Sequence, residues 1–409
     1  MLFAPIIRRA LPRRRHLALL LAAALAVLGA PVAAVADAKA IQMVSAAPVP
    51  SVGFDGLVYT STYVGNTMYV GGSFRNALVN GKPVLRKRLA ALDARTGKLL
   101  PWAPAIDGTV FAMTAAGTQL YVTGKFKNVG GQARAGLAGI DLKTGAVGPL
   151  KHTVDGEGTA LAAGGGRLYL GGKITKVDGR AVKNLAAFKL TGGAVDTAFP
   201  GTADEQVRAL TVAGSRLYVG GKFKKLNGAG TPRFGALKTS DGTVDATFRP
   251  ATPYEVFAIT LVPGTVYAGL GGVGGRVAAY KPDGGFIWST VTDGDIQAIT
   301  NLGGAVYAGG HFTEVCPTPS ASATTWCPGK KLRSQPKVVA LDGATGKLLD
   351  WNPRSNGKWG VLTMDANPAL SKIALGGEFT AFGGVNHPHF AQFSACAYGC
   401  GGRSAAHAR

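Results

Sequence analysis

The chain is poor in histidine, acid and cysteine, and each shortage narrows what it can do. Six histidines occur in 409 residues. One, His16, lies near the N-terminus; the others are His152, His311, His387, His389 and His407. They form no HExxH zinc motif. His387-Pro388-His389 brings two imidazoles together but lacks the third ligand that a catalytic metal needs. A G-x-S-x-G elbow, a P-loop and a nucleotide-binding glycine fingerprint are all missing, because the paired glycines lie in β-patterned segments and open no helix. These residues assign no catalytic group, no metal and no cofactor. Asp and Glu number 22 against 44 Lys and Arg, a net charge of +22. No basic run is interleaved with aromatics as in a nucleic-acid groove, so a specific nucleic-acid partner is not expected. Beyond the N-terminal region no apolar run is long enough to span a bilayer, which takes about 20 residues.

What is present begins with a leader. Arg8, Arg9 and Arg13 to Arg15 precede an apolar stretch over 17–30, and Ala34-Val35-Ala36 offers small residues for cleavage. This is the secretory pattern. Residues 1–36 are read as a signal peptide, 37–394 as one folded domain and 395–409 as a short tail. The leader holds five of the arginines and no acid, which leaves +17 of the chain's +22. Such a balance favours anionic partners outside the cell, such as wall phosphates, acidic glycans or lipid head groups. In an exported chain the four cysteines read as disulfides. Proximity favours Cys316–Cys327 and Cys396–Cys400 among three possible connectivities, with a zinc site as the alternative.

One signature recurs: aromatic, aliphatic, Gly-Gly, any residue, Phe. Tyr69-Val70-Gly71-Gly72-Ser73-Phe74 returns in varied form at Tyr121 (with Thr123 for the first Gly), Tyr169, Tyr218, Tyr267, Tyr307 and Ala374, at steps of 40–67 residues. Units of about 40–50 residues with such motifs are propeller blades. The expected fold is all-β: a single seven-bladed β-propeller of four-stranded antiparallel blades. Strand two carries the Gly-Gly pair. A hairpin tip follows at Asn80-Gly81, Gly130-Gly131, Asp178-Gly179, Asn227-Gly228 or Gly383-Gly384, dipeptides that supply the positive φ of a tight turn. The fifth unit has only Gly271-Gly272-Val273-Gly274-Gly275 there, and the sixth has an insertion bearing Cys316 and Cys327. Strand four ends in Trp102, Phe199, Phe248, Trp288 or Trp351. Glycine inside a strand implies a close neighbour, here expected to be one of these aromatics, which are read as packing residues, with a sugar-stacking platform as the alternative. The last unit stops after strand three, so Ile41-Gln42-Met43-Val44 is expected to supply its fourth strand and lock the ring, leaving no open sheet edge.

These units resemble the Delta-60 repeat of secreted and surface bacterial proteins. Tyr218-Val219-Gly220-Gly221-Lys222-Phe223 with Asn227-Gly228 carries the likeness, as does Leu89-Ala90-Ala91-Leu92-Asp93 with Thr96-Gly97 and Trp102-Ala103-Pro104. The resemblance runs over residues 55–393. It implies a propeller and no settled catalytic function, since fold does not fix function. The segment from Ala91 to Lys98 with Trp102, and Ala340-Leu341-Asp342 with Thr345-Gly346-Lys347 and Trp351, are similar to the tryptophan-docking motif of quinoprotein dehydrogenases. The tryptophan falls one residue late, and that likeness implies a packing role without the cofactor. Asp93, Asp141 and Asp342 are read as caps of the strand three-to-four turn.

In an antiparallel four-stranded blade the strand two-to-three tips and the blade-to-blade crossings share one face. The tips are basic, with Arg75, Lys127, Arg134, Lys176, Arg180, Lys224 and Lys225. The crossings are acidic. Asp55, Asp107, Glu157, Asp204, Asp293 and Asn356 align at one register, with Glu205, Glu255 and Asp295 close by. The expectation is an acidic channel mouth inside a basic outer ring, with simple Asp-Gly turns as the alternative. Function is read accordingly: a secreted, extracellular binding scaffold, monomeric and open to wall association, whose one face engages an anionic polymer, glycan or protein. The alternatives are a glycan-active or quinoprotein-like enzyme using acids of the mouth, and a purely structural wall component.

Overall fold

The computed structural model describes residues 40–395 other than Lys330. The expected leader through residue 36 and the expected Cys396–Cys400 disulfide fall outside the described residues.

Within them the chain is all β apart from one 3-10 turn at Pro368–Leu370. Seven larger antiparallel sheets follow one another along the sequence, with five small hairpin sheets beside them among the described residues. Their first strands are Val58–Val64, Thr109–Ala116, Val154–Gly164, Val207–Ala213, Val256–Val262, Ile296–Leu302 and Val361–Asn367. Each pairs with the strand that carries the Gly-Gly signature, and that strand pairs with a third. Alternation of valine, leucine and alanine with polar residues sets which side chains enter the core. The tips are tight turns with positive φ at both residues: Asn80 and Gly81 at 51° and 77°, Asn227 and Gly228 at 48° and 77°.

Fourth strands are shorter than expected. Only Val147–Lys151 and Phe286–Val291 form full outer strands. In four other units pairing shrinks to a single bridge: Leu92 with Leu99, Phe188 with Val195, Leu237 with Val244 and Leu341 with Leu348. The cause is in the residues that follow. Pro101 offers no N–H to a ladder. Asp196 and Asp245 turn the chain away by accepting the amides of Ala198 at 3.2 Å and Thr247 at 2.9 Å.

The core lies between neighbouring sheets. Tyr69, Leu89 and Trp102 of the first unit pack with Val110, Leu120 and Ala138 of the second. The strand-four aromatics serve this seam. Trp102 meets Tyr69 edge-on at 5.0 Å and donates to Asp141 O at 3.0 Å, while Tyr69 Oη donates to Leu142 O. Tyr267 and Trp288 both donate to Gly343 O in the same way. Trp351, 2 % exposed, donates to Ser45 O at 3.0 Å, and Tyr307 Oη accepts from Val44 N at 2.9 Å. The N-terminal stretch also bonds the last third strand, Ser45 N to Ser394 O and Val49 N to Gln392 O, both 2.8 Å. Its two bridges are at Val44 and Val49, a register displaced toward the C-terminus from the expected 41–44.

The signature glycines admit an aliphatic side chain, not the aromatic expected. A Cβ on Gly171 would meet Val207 Cγ1 at 2.5 Å, one on Gly220 would meet Val256 Cγ1 at 2.5 Å, and one on Gly309 would meet Val361 Cβ at 2.7 Å. Gly71, Gly269 and Gly376 likewise face Val110, Ile296 and Val58. In each case an aliphatic residue at or next to the start of the next sheet's first strand sits in the glycine's hollow, joined at Gly71 by Met113, which brings the sheets together near their inner edges. The exception preserves the fit: where Thr123 replaces the glycine, the facing residue is Gly158, and Thr123 Oγ1 occupies the space.

Candidate functional site

Every first strand carries a β-bulge at the same place. The register slips between Val58 and Thr60, Val110 and Ala112, Gly158 and Ala160, Val207 and Ala209, Val256 and Ala258, Ile296 and Ala298, and Val361 and Thr363. The residues left unpaired are Tyr59, Phe111, Thr159, Arg208, Phe257, Gln297 and Leu362. All seven are half-buried. A bulge re-aims the side chain it frees. Together these strands line one cavity of about 200 Å³ to which all seven units contribute, among them Thr60, Phe111, Thr159, Arg208, Gln297 and Met364. Around it Tyr59 meets Phe111 edge-on at 5.5 Å, and the Arg208 guanidinium lies 4.7 Å over Phe257. Sequence reasoning missed this group. The residue type differs in every unit, so the repeat gives no signature. The usable signal was position: in six units it is one step after the aliphatic residue at or next to the start of the first strand, and in the third unit one step after Gly158.

The crossing acids mostly have partners in the fold. Asp55 accepts from the amides of Arg75 and Asn76 at 2.8 and 2.9 Å and from Asn76 Nδ2 at 2.7 Å. Asp107 repeats the set with Lys127 and Asn128. Asp204 takes the amides of Lys224 and Lys225, Asp293 those of Thr313 and Glu314, and Asn356 those of Thr380 and Ala381. Burial works against the charge on Asp55, Asp107, Asp204 and Asp293, but the hydrogen bonds outweigh it and hold these carboxyls below their usual pKa. The crossing is thereby tied to the hairpin tip, placing both on one face. Glu255 pairs with Arg208 Nε and lies 4.0 Å from Lys222 Nζ. Asp295 accepts Gly272 N at 3.1 Å and lies 4.0 Å from His311 Nδ1. Glu157 is 3.8 Å from Lys125 Nζ, and Glu205 is exposed.

Among the predicted basic residues, Arg75, Lys127, Lys176, Arg180, Lys224 and Lys225 are exposed, and none joins an ion pair among the described residues. Arg134 does not belong with them. It is 8 % exposed and reaches inward to Gly148 O at 3.0 Å, tying the tip to the outer strand. Cys316 and Cys327 form a disulfide. No helix among the described residues is long and apolar enough to cross a membrane.

No family model matches the chain, and no curated protein matches it. Among solved structures, the WD40 β-propeller domain of Doa1 aligns with a TM-score of 0.52 at 12% identity, covering 86% of this chain and 96% of that one. The computationally designed Ika8 protein aligns at 0.49 and 12% identity, over 87% of this chain and 100% of that one. The extracellular domain of the putative one component system BT4673 from B. thetaiotaomicron aligns at 0.49 and 12% identity, over 84% of this chain and 39% of that one. At such identity the Doa1 likeness concerns fold alone: the chain is an all-β scaffold of β-propeller type.

Proposed function

We propose that this chain is a secreted, seven-bladed propeller of the Delta-60 repeat kind that binds an extracellular anionic polymer through the face bearing the hairpin tips. One observation carries the binding role. On that face the four register aspartates are bound to backbone amides, whereas Arg75, Lys127, Lys176, Arg180, Lys224 and Lys225 stand exposed outside any ion pair among the described residues. A spread of unpaired cations attracts polyanions and steers their approach.

Ring closure by the N-terminus is part of the proposal. Two features support it. The first strand of the last unit packs against the first strand of the first unit, as consecutive first strands do elsewhere. Ser45 takes the Trp351 indole bond that the next unit's turn takes from Trp102 and Trp288.

The test is binding of the purified protein to teichoic acid, acidic glycans and anionic vesicles at low and high salt. Binding at low salt that fades at high salt supports the role. No binding to any polyanion at low salt refutes it.

A further inference from the structure

The fifth unit lacks the tip that its neighbours carry. Its second and third strands are joined by Gly271 to Gly275 alone, where the other units build an extra ladder above the tip register. The gap leaves aromatic rings on the face. Tyr254 lies against Gly272, and its ring is held 5.4 Å from the Arg276 guanidinium. Arg276 is 1 % exposed and donates to Thr325 O at 2.7 Å and Thr324 O at 3.1 Å, so the insertion of the sixth unit is clamped beside this gap. The insertion brings Trp326 over Gly274, leaving the indole 39% exposed. Beyond Asp295 and His311 lies Trp359, 48% exposed, which meets the His311 ring at 6.0 Å and has Lys358 Nζ 5.3 Å from its own ring.

Polar groups lie among these rings. Asp295 uses one oxygen on Gly272 N and turns the other toward His311, 4.0 Å away. Gln297, one of the bulge residues, has its Nε2 3.4 Å from His311 Nδ1, and its buried Oε1 has no partner. A buried acceptor without a donor is costly unless something fills it. Arg208 over Phe257 continues the line from the gap to the axial cavity.

We infer that the notch of the fifth unit is a glycan-binding cleft, in which Tyr254, Trp326 and Trp359 stack on pyranose rings while Asp295, His311 and Gln297 take their hydroxyls. Sugar rings present apolar C–H faces edged by hydroxyls. Aromatic faces beside carboxylate, imidazole and amide groups match that alternation, and the unpartnered acceptor on Gln297 suits a hydroxyl donor that reaches it. The cleft deepens the binding role proposed above by naming a sugar chain as ligand, but its energetics differ: stacking and neutral hydrogen bonds resist salt, whereas the basic tips do not.

The test titrates the purified protein with cellohexaose, xylohexaose, mannohexaose and chitohexaose at low and high salt, following tryptophan fluorescence. The cleft predicts saturable binding of at least one hexasaccharide, unchanged by salt. Trp359→Ala, Tyr254→Ala and Gln297→Leu should each weaken it about tenfold, and charge reversal at Lys127, Lys224 and Lys225 should leave it intact. Binding to none of the four, or binding indifferent to Trp359→Ala and Tyr254→Ala, overturns the cleft. Polyanion binding without hexasaccharide binding would sink the cleft alone, and the converse would sink the basic face alone.

Discussion

The exchange of Thr123 for glycine makes a sharp prediction about how the sheets pack. At six seams a glycine faces a valine or isoleucine, and at the seventh the two sizes are swapped, with Thr123 facing Gly158. Gly158→Val alone sets a branched side chain against Thr123 Oγ1 and against Leu170 Cδ1, which a Cβ would meet at 2.8 Å. Overpacking of this kind costs about 2 kcal/mol. Thr123→Gly alone empties a fully buried position and removes the 2.7 Å bond from Thr123 Oγ1 to Gly136 O, again about 2 kcal/mol. The double variant recreates the pairing of the other six seams. It should lose only about 1 kcal/mol, a coupling of about 3 kcal/mol toward stability. Denaturant melts of the four proteins measure this directly. A double variant whose loss equals the sum of the singles within about 0.5 kcal/mol would refute the complementarity.

Removing the crossing clamp with Asp107→Ala takes away three hydrogen bonds and should lower stability by about 1–2 kcal/mol, read from the same melts. Asp365 sits where the last unit meets the first, accepting Tyr63 N at 2.7 Å and Ala366 N at 2.9 Å. Burial pushes its pKa up to about 6, against those bonds. A raised carboxyl stabilises the fold while protonated, so this contribution is full below 3.8 and is lost as pH rises through about 6. Asp365→Asn should flatten that slope in melts across the window, and an unchanged slope would dismiss the group. Reducing the Cys316–Cys327 bond, which closes a separation of 11 residues, should free the insertion by about 2–3 kcal/mol. Arg276 still holds Thr324 and Thr325, so hydrogen exchange should rise in 316–323 and stay unchanged in the sheets.

Much of the fold was legible because the repeat writes the same physics in every unit. The Gly-Gly pairs, the Asn-Gly tips and the Asp-x-x-Thr-Gly turns are local, and local chemistry is visible in a single sequence: Asp93 Oδ1 does accept from Arg95 N, Thr96 N and Thr96 Oγ1. What fills a glycine's hollow is a contact between units, so the aromatic expected there was an aliphatic residue of the next sheet. The fourth strands were over-read because an aromatic near proline looks like a strand end, while Asp196 and Asp245 turn the chain earlier. The acidic register was visible as charge, but its use was not. Whether Asp107 faces solvent or an amide depends on the loop across from it. Arg134 looked like its exposed neighbours because reach toward Gly148 O is a matter of three dimensions. The bulge residues carried no signature, since Tyr59, Thr159 and Gln297 share a position and no chemistry.

The basic face is most directly tested by moving equal charge on two faces. Lys127→Glu, Lys224→Glu and Lys225→Glu together alter the tips, whereas Lys98→Glu, Lys143→Glu and Lys347→Glu alter the strand three-to-four turns by the same amount. Measured against teichoic acid at low salt, the first triple should lose at least about tenfold in affinity and the second should stay near the parent protein. Equal losses in both triples would mean that net charge alone attracts the polymer, and that no face of this protein is built to bind it.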